Sequence, residues 1–288
     1  MSAEKIIPAR YWGQRLVAVF LIAIVAFAIY MVATSRHISW STIPQYVFDE
    51  TILDGIRLTI LFTVLSMAIS IVAGAILATM RLASNPILSS FAGLYIWFFR
   101  GTPLLVQIIF WFNIQLFIPS IDLGFFQVDT NVVVTAFVAA LLALSLNEAA
   151  YMAEIIRGGL LAIDDGQNEA AKALGYTPTQ AMIRIIFPQA LRVIIPPIGN
   201  QTISMLKTTS LVSVVAAQDL LTRAQNIYAR NFLIIELLIM ASLWYLLMTT
   251  VASALQYMIE QHFGRSSRQP MGPWRTALRV MRAEGTKG

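Results

Sequence analysis

The chain has 288 residues, of which 58% are hydrophobic and only 12% charged, against about 25% charged in a typical soluble domain. So little charge cannot cover the core that a soluble fold of this length would bury, so lipid must cover much of the surface. The net charge of +5 does not point to nucleic acid, because the basic residues gather at the ends of apolar runs and in one tail; the absence of cysteine excludes disulfides, thiolate metal sites and cysteine nucleophiles.

A membrane span needs about 20 mostly apolar residues. Six segments meet that requirement, near 15–34, 56–80, 100–118, 131–157, 191–216 and 231–259. The first, Leu16 to Ala33, follows Lys5, Arg10 and Arg15. It is longer than the apolar region of a signal peptide, about 7–15 residues, and reads as a retained span. The third begins at Gly101-Thr102-Pro103, and a short interfacial helix over 86–98 precedes it. The fifth is the most polar of the six. A polar, basic tail with Pro270 and Pro273 begins at Gly264.

Counting Lys and Arg sets the topology. With the N-terminus in the cytoplasm, that side holds Lys5, Arg10, Arg15, Arg81, Arg100, Arg157, Lys172, Arg184, Arg192 and the basic tail. The outer side holds only Arg36, Arg57, Arg223 and Arg230. This is the asymmetry of the positive-inside rule, and it requires the fifth segment to span. The expectation is an all-α, multi-pass integral membrane protein with both termini cytoplasmic.

The longest polar stretch between two spans runs over 164–189. It reads as two short helices. Asp165 can cap the first, which runs to about Leu174, and Gly175 ends it with a positive φ. Thr177 starts the second, with Pro178 at the first helical position and Gln180 completing a capping box. Pro188 breaks the second helix or starts the next element. Met182, Ile183, Ile186 and Phe187 form an apolar side, which either folds back on the spans or docks in a groove on a partner.

The residues of this stretch also carry a family resemblance. Glu169-Ala170-Ala171, then Gly175, then Ile185 and Phe187-Pro188 resemble the EAA loop of ABC importer permeases. The family pattern ends in Leu-Pro, and Phe187 departs from it. Phe99-Arg100-Gly101-Thr102-Pro103-Leu104-Leu105-Val106-Gln107 is similar to a segment of the polar amino acid permeases of the histidine/glutamine type. Glu154-Ile155-Ile156-Arg157-Gly158-Gly159 and Pro196-Pro197-Ile198-Gly199-Asn200, continuing to Lys207-Thr208-Thr209, add two further matches.

The resemblance implies a type I ABC importer permease fold in the inner membrane. It implies coupling helices at 164–189 that sit in a cleft on a separate ATP-binding subunit. A second permease subunit, identical or related, a soluble substrate-binding protein and an amino acid substrate complete the implied assembly. Residues 51–263 form the permease domain on this reading. Residues 1–50 add a transmembrane helix and outer loop, and 264–288 form a basic tail. No GxxxxGK[ST] phosphate loop is present, so ATP is expected on the partner and no cofactor or metal on this chain.

Charge at bilayer depth costs about 3 kcal/mol or more unless it faces a cavity or a partner, so polar residues inside the spans mark candidate pathway positions. Asn147, Tyr151, Glu154 and Gly158 share one face of the fourth span, with Glu148 beside them. Asn200, Ser204, Lys207 or Thr208 share one side of the fifth. Lys207 could meet a substrate carboxylate, and Glu148 or Glu154 its ammonium. Equally, Glu154 and Arg157 suit a structural ion pair, and Gln107, Asn200 and Gln201 suit hydrogen bonds between helices. Arg100, Gly101, Thr102 and Pro103 shape and anchor the entry of the third span. An ion-driven transporter would accept the same intramembrane polar groups but has no need of the two-helix loop. His37 and His262 lie near opposite faces and form no catalytic pair, which leaves an intramembrane enzyme without support.

Overall fold

A computed structural model describes residues 12–35, 38–122, 124 and 127–263. The basic tail from residue 264, the first eleven residues and Arg36 with His37 lie outside the described residues. The helices are α1 (Trp12–Ala33), α2 (Ile43–Val47), α3 (Glu50–Leu82), α4 (Pro86–Gly101) and α5 (Leu104–Phe112). A hairpin of β1 (Ser120–Asp122) and β2 (Gln127–Asp129) follows, with Ile121 opposite Val128. Then come α6 (Thr130–Val133), α7 (Ala136–Leu161), α8 (Asp165–Ala173), α9 (Pro178–Ala181), α10 (Phe187–Thr208), α11 (Leu220–Asn231) and α12 (Ile234–Phe263).

α3 and α7 form the centre, and small residues let their backbones meet, as membrane helices require when lipid competes for larger side chains. Ala139, Ala140, Ala143, Ala149, Ala150 and Ala153 of α7 are fully buried. A Cβ on Gly74 of α3 would overlap Met152 Cβ and stand 2.9 Å from the Ala153 nitrogen. Ser70 donates to the Ser145 carbonyl across this seam at 2.9 Å. α10 closes on α7 at Gly159, where a Cβ would overlap the Ile194 side chain. At one end of the bundle, Ile43, Ile52 and Ile56 pack with Leu220, Leu237 and Met240, joining α2, α3, α11 and α12. At the other end, Ala78, Ile156, Ala190 and Ile194 join α3, α7 and α10.

Among the described residues, five helical stretches are long and apolar enough to cross a membrane, and a sixth is counted if one bent pair is a single span. The first, second, fourth and sixth expected spans match α1, α3, α7 and α12 with boundaries moved by a few residues. The fifth spans despite its polarity, within one helical run from Pro178 to Val215. Pro188 does not break that run. It sits in the first turn of α10, where its missing N–H leaves no gap, and a π turn over Met182–Ile186 joins α9 to α10.

The third span differs from the sequence expectation. In its place α4 and α5 together have the length and composition of a span but are bent by 101° at Thr102-Pro103. The residues expected to form an interfacial helix lie on α4, which packs along α3 and α7 through Ala92 and Ile96. α5 has nine residues, about 14 Å at 1.5 Å per residue, which alone is too short to cross. α2, the hairpin and α11 are further elements that the hydropathy pattern does not reveal.

Candidate functional site

The loop over 164–189 is an exposed helical hairpin with both of its turns closed by side-chain and backbone bonds. The first cap is Asp164, not Asp165: its carboxylate accepts from the Gly166 N–H at 2.7 Å. α8 then ends in a Schellman turn, in which the Gly175 N–H donates to Lys172 O and the Tyr176 N–H to Ala171 O, both at 3.0 Å. Gly175 has φ +79°, a left-handed conformation that other residues enter only with strain. Thr177 and Gln180 form the expected capping box on α9. Gln189 donates to Gln167 at 3.2 Å and to Ile185 O at 2.9 Å, tying α8 to the start of α10.

Ala171, Ala181 and Ile186 face inward, while Leu174, Met182, Ile183 and Phe187 are exposed, Leu174 at 74%. Of the two sequence readings, folding back on the spans is therefore not realised for these side chains. Glu169, Ala170 and Pro188 are exposed beside them, and Ile185 is half-buried.

The polar residues of the spans form three groups. The first fills the break between α4 and α5. Thr102 and Pro103 are extended, with ψ 143° and 132°, because Pro103 has no N–H and keeps Thr102 out of the helical region. The carbonyls freed by the break need donors, since lipid offers none. Gln107 Nε2 lies 3.1 Å from Phe99 O, 3.2 Å from Thr102 O and 2.7 Å from Thr102 Oγ1. Asn147 of α7 donates to Phe99 O at 2.8 Å and to Gln107 Oε1 at 3.2 Å. Thr102 Oγ1 donates to Phe98 O at 2.9 Å. Gln107 and Asn147 are thus buried inside the subunit with their polar atoms engaged. Arg100 stands over the Tyr151 ring at 5.1 Å, partway along α7, where its charge meets the ring face.

The second group joins α7 to α10. Gln201 donates to the Glu148 carboxylate at 3.0 Å, and Glu148 is buried. Beyond it, Arg157 pairs with Glu154 through contacts of 2.7 and 3.2 Å, the structural ion pair that the three-residue spacing suggested. The third group joins α10 to α12. Gln256, which the sequence reading did not single out, donates to Asn200 Oδ1 at 3.1 Å and to Pro196 O at 3.2 Å. Lys207 is exposed near the opposite end from the loop hairpin, and its ammonium makes no ion pair or hydrogen bond among the described residues. Thr208 is turned back to the Ser204 carbonyl at 3.0 Å. Lys207 and the two acids are therefore not brought into contact with each other.

Residues 70–265 match the model of a family described as the inner membrane component of binding-protein-dependent transport systems. The chain belongs to that family. Among characterised relatives of this transport component, the arginine transport system permease protein ArgU of Corynebacterium glutamicum is 42% identical over 266 residues, covering 92% of this chain and 84% of that protein. The L-cystine transport system permease protein TcyB of Bacillus subtilis is 36% identical, covering 79% of this chain and 92% of its own length. A solved structure described as an amino acid ABC transporter with histidines is 35% identical with a TM-score of 0.65, covering 74% of this chain and 94% of its own. The type I importer permease fold expected from the motifs is thereby established for this chain.

Proposed function

We propose that this permease imports a polar amino acid through a passage formed with a second permease subunit, driven by ATP hydrolysis on a separate subunit that docks on the α8–α9 hairpin. The observation that carries the docking assignment is the exposed apolar edge of Leu174, Met182, Ile183 and Phe187 on a hairpin whose turns are fully hydrogen-bonded. A rigid hairpin with an uncovered apolar edge is a ready-made groove ligand. The names of the relatives support amino acids as the substrate class. The chain performs no covalent chemistry on this reading, and ATP stays on the partner. Both termini lie in the cytoplasm, as the Lys and Arg distribution favours.

Glu148 with Gln201, and Lys207, which makes no ion pair among the described residues, are the groups proposed to meet the substrate ammonium and carboxylate as it passes. Gln107 and Asn147 serve the pathway by holding its wall. The test is ATP-dependent uptake of a panel of labelled amino acids into vesicles, comparing wild type with Gly175→Asp. Loss of uptake together with loss of the co-purifying ATPase subunit is expected. Uptake that follows an ion gradient and ignores Gly175 would overturn the proposal.

A further inference from the structure

The α8–α9 hairpin joins the bundle at two places. On one side the three residues Ala162, Ile163 and Asp164 link α7 to α8. On the other, the π turn over Met182–Ile186 carries α9 into α10, and the Phe187 N–H reaches five residues back to Met182 O. Turns of this kind interrupt the regular ladder of a helix and recur where helices bend or act. Short links at the ends of elements are likewise where hinges form. Both joints can therefore absorb a change of angle.

Beyond the joints the bundle is stiff. Ala190 and Ile194 of α10 are buried with Ala78 of α3 and Ile156 of α7. Ile194 sits so close to Gly159 that a Cβ there would overlap its Cγ1. The foot of α10 is thus pinned to α3 and α7 from Ala190 onward.

Gln189, half-buried in the first turn of α10, precedes that pinned point by one residue. Its Nε2 donates to Ile185 O at 2.9 Å and to Gln167 Oε1 of α8 at 3.2 Å. The bond to Gln167 is the only side-chain hydrogen bond between α8 and α10 among the described residues. The two bonds do different things. The one to Ile185 stays within a single helical run, whereas the one to Gln167 bridges the π turn and ties the hairpin to the pinned foot. Ala171, Ala181 and Ile186 are buried inside the hairpin, but apolar contact has no preferred direction. A hydrogen bond has both a length and an angle to keep.

We propose that Gln189 is a positioning residue for transport: its bond to Gln167 fixes the angle between the docking hairpin and α10, so that movement of the docked ATPase subunit turns α10 instead of being absorbed at the two joints. The inference rests on the docking reading above and adds to it the side-chain pair that sets how many substrate molecules cross per ATP. α10 carries Gln201 and Lys207, two of the groups proposed to meet the substrate, so its orientation acts directly on the passage. Gln189 itself lies off the apolar edge of Leu174, Met182, Ile183 and Phe187, and changing it leaves that edge intact.

The transporter, with its ATPase subunit and binding protein, is reconstituted in proteoliposomes. Import of the labelled amino acid that the wild type takes up best, and ATP hydrolysis, are measured on the same preparation. Gln189→Met removes both bonds, and Gln167→Met removes the cross-helix bond while keeping the one to Ile185. Each is expected to lower the number of molecules imported per ATP by about threefold or more, with co-purification of the ATPase subunit and the hydrolysis rate retained. Gln189→Glu/Gln167→Lys restores a bond across the joint as an ion pair but gives Ile185 O no side-chain donor. This pair should return the ratio towards the wild-type value, which a purely local repair of the π turn cannot do. Wild-type ratios in both single variants, or a charge pair as poorly coupled as they are, overturn the proposal and leave the docking reading intact. Loss of ATPase co-purification in Gln167→Met makes Gln167 part of the docking face and equally overturns it. If wild-type import needs no ATP, both readings fall together.

Discussion

At the scale of single residues, most polar side chains in the spans repair backbone rather than meet a ligand. The break at Thr102-Pro103 frees carbonyls, and Gln107 and Asn147 supply the donors that lipid cannot. Gln107→Glu removes the donor and sets a carboxylate against three acceptor oxygens, whereas Gln107→Met removes the donor alone. Gln107→Glu should therefore lower the thermal midpoint in nanodiscs more than Gln107→Met does. Asn147→Ala, which leaves Gln107 Oε1 without its donor and Phe99 O with the Gln107 donor alone, should cost about 1–3 kcal/mol. Equal midpoints for the two Gln107 variants would show that these oxygens find other donors. Asp219 offers a pH test outside the spans. Burial pushes its carboxyl above the ordinary carboxylate range, against the lowering pull of its hydrogen bonds from Thr222, Leu221 and Tyr245. A carboxyl with a raised folded pKa binds its proton more tightly in the fold than in the unfolded chain. The stability it adds is present below the unfolded value and is lost as pH rises through the folded value. The stability of wild type relative to Asp219→Asn should accordingly fall as pH rises from about 4 upward, and a difference flat in pH would refute this.

At the scale of elements, hydropathy made the four apolar spans legible because length and composition suffice to define them. The Gly175 turn and the Thr177–Gln180 box were legible because their chemistry is local. The third span was not, because a broken helix depends on donors from α7, forty residues away in sequence, which no window on 100–118 contains. α11 escaped because its polar face gives no span signal, and its apolar residues only make sense against Ile52 and Ile56 of α3. Capping detail failed by one residue at Asp164, where two adjacent aspartates compete and only the geometry chooses. Close helix contacts are also invisible in sequence, yet they make sharp predictions. Gly159→Ala would overlap Ile194 Cγ1 and approach Cδ1 to 3.0 Å, leaving Ile194 Cβ at an ordinary 3.5 Å. Gly159→Ala should destabilise by about 1–3 kcal/mol, as overpacking does. Ile194→Ala in the same chain should recover part of the loss, so the two changes should be strongly non-additive in a thermal-unfolding cycle. Additive costs would mean that α7 and α10 separate instead of clashing.

At the scale of the whole molecule, the chain divides into a packed bundle and one helix outside it. None of the apolar stretch Leu16–Ala33 in α1 is buried against the other described residues. Within fourteen residues of Ala33 the chain is fully committed to the bundle. Ser39 N–H donates to Glu236 at 2.8 Å, Ile43 is buried against α11 and α12, and Trp244 Nε1 donates to Val47 O at 3.0 Å. The stability boundary therefore falls between α1 and α2, ahead of the boundary at residue 50 drawn from the sequence. Two deletions separate these cases. Removing residues 1–33 takes away α1, whose apolar stretch Leu16–Ala33 has none of its residues buried against the other described residues, so membrane levels, co-purification of the ATPase subunit and uptake should match the full chain. Removing residues 1–47 also strips Ile43, the cover of α11 and the Trp244 acceptor, at a cost of about 2–4 kcal/mol from lost apolar burial and hydrogen bonding. That variant should show a lower thermal midpoint and reduced levels. If the shorter deletion is as damaging as the longer one, α1 contributes to assembly through contacts with another subunit, and the bundle of α2 to α12 is not self-sufficient.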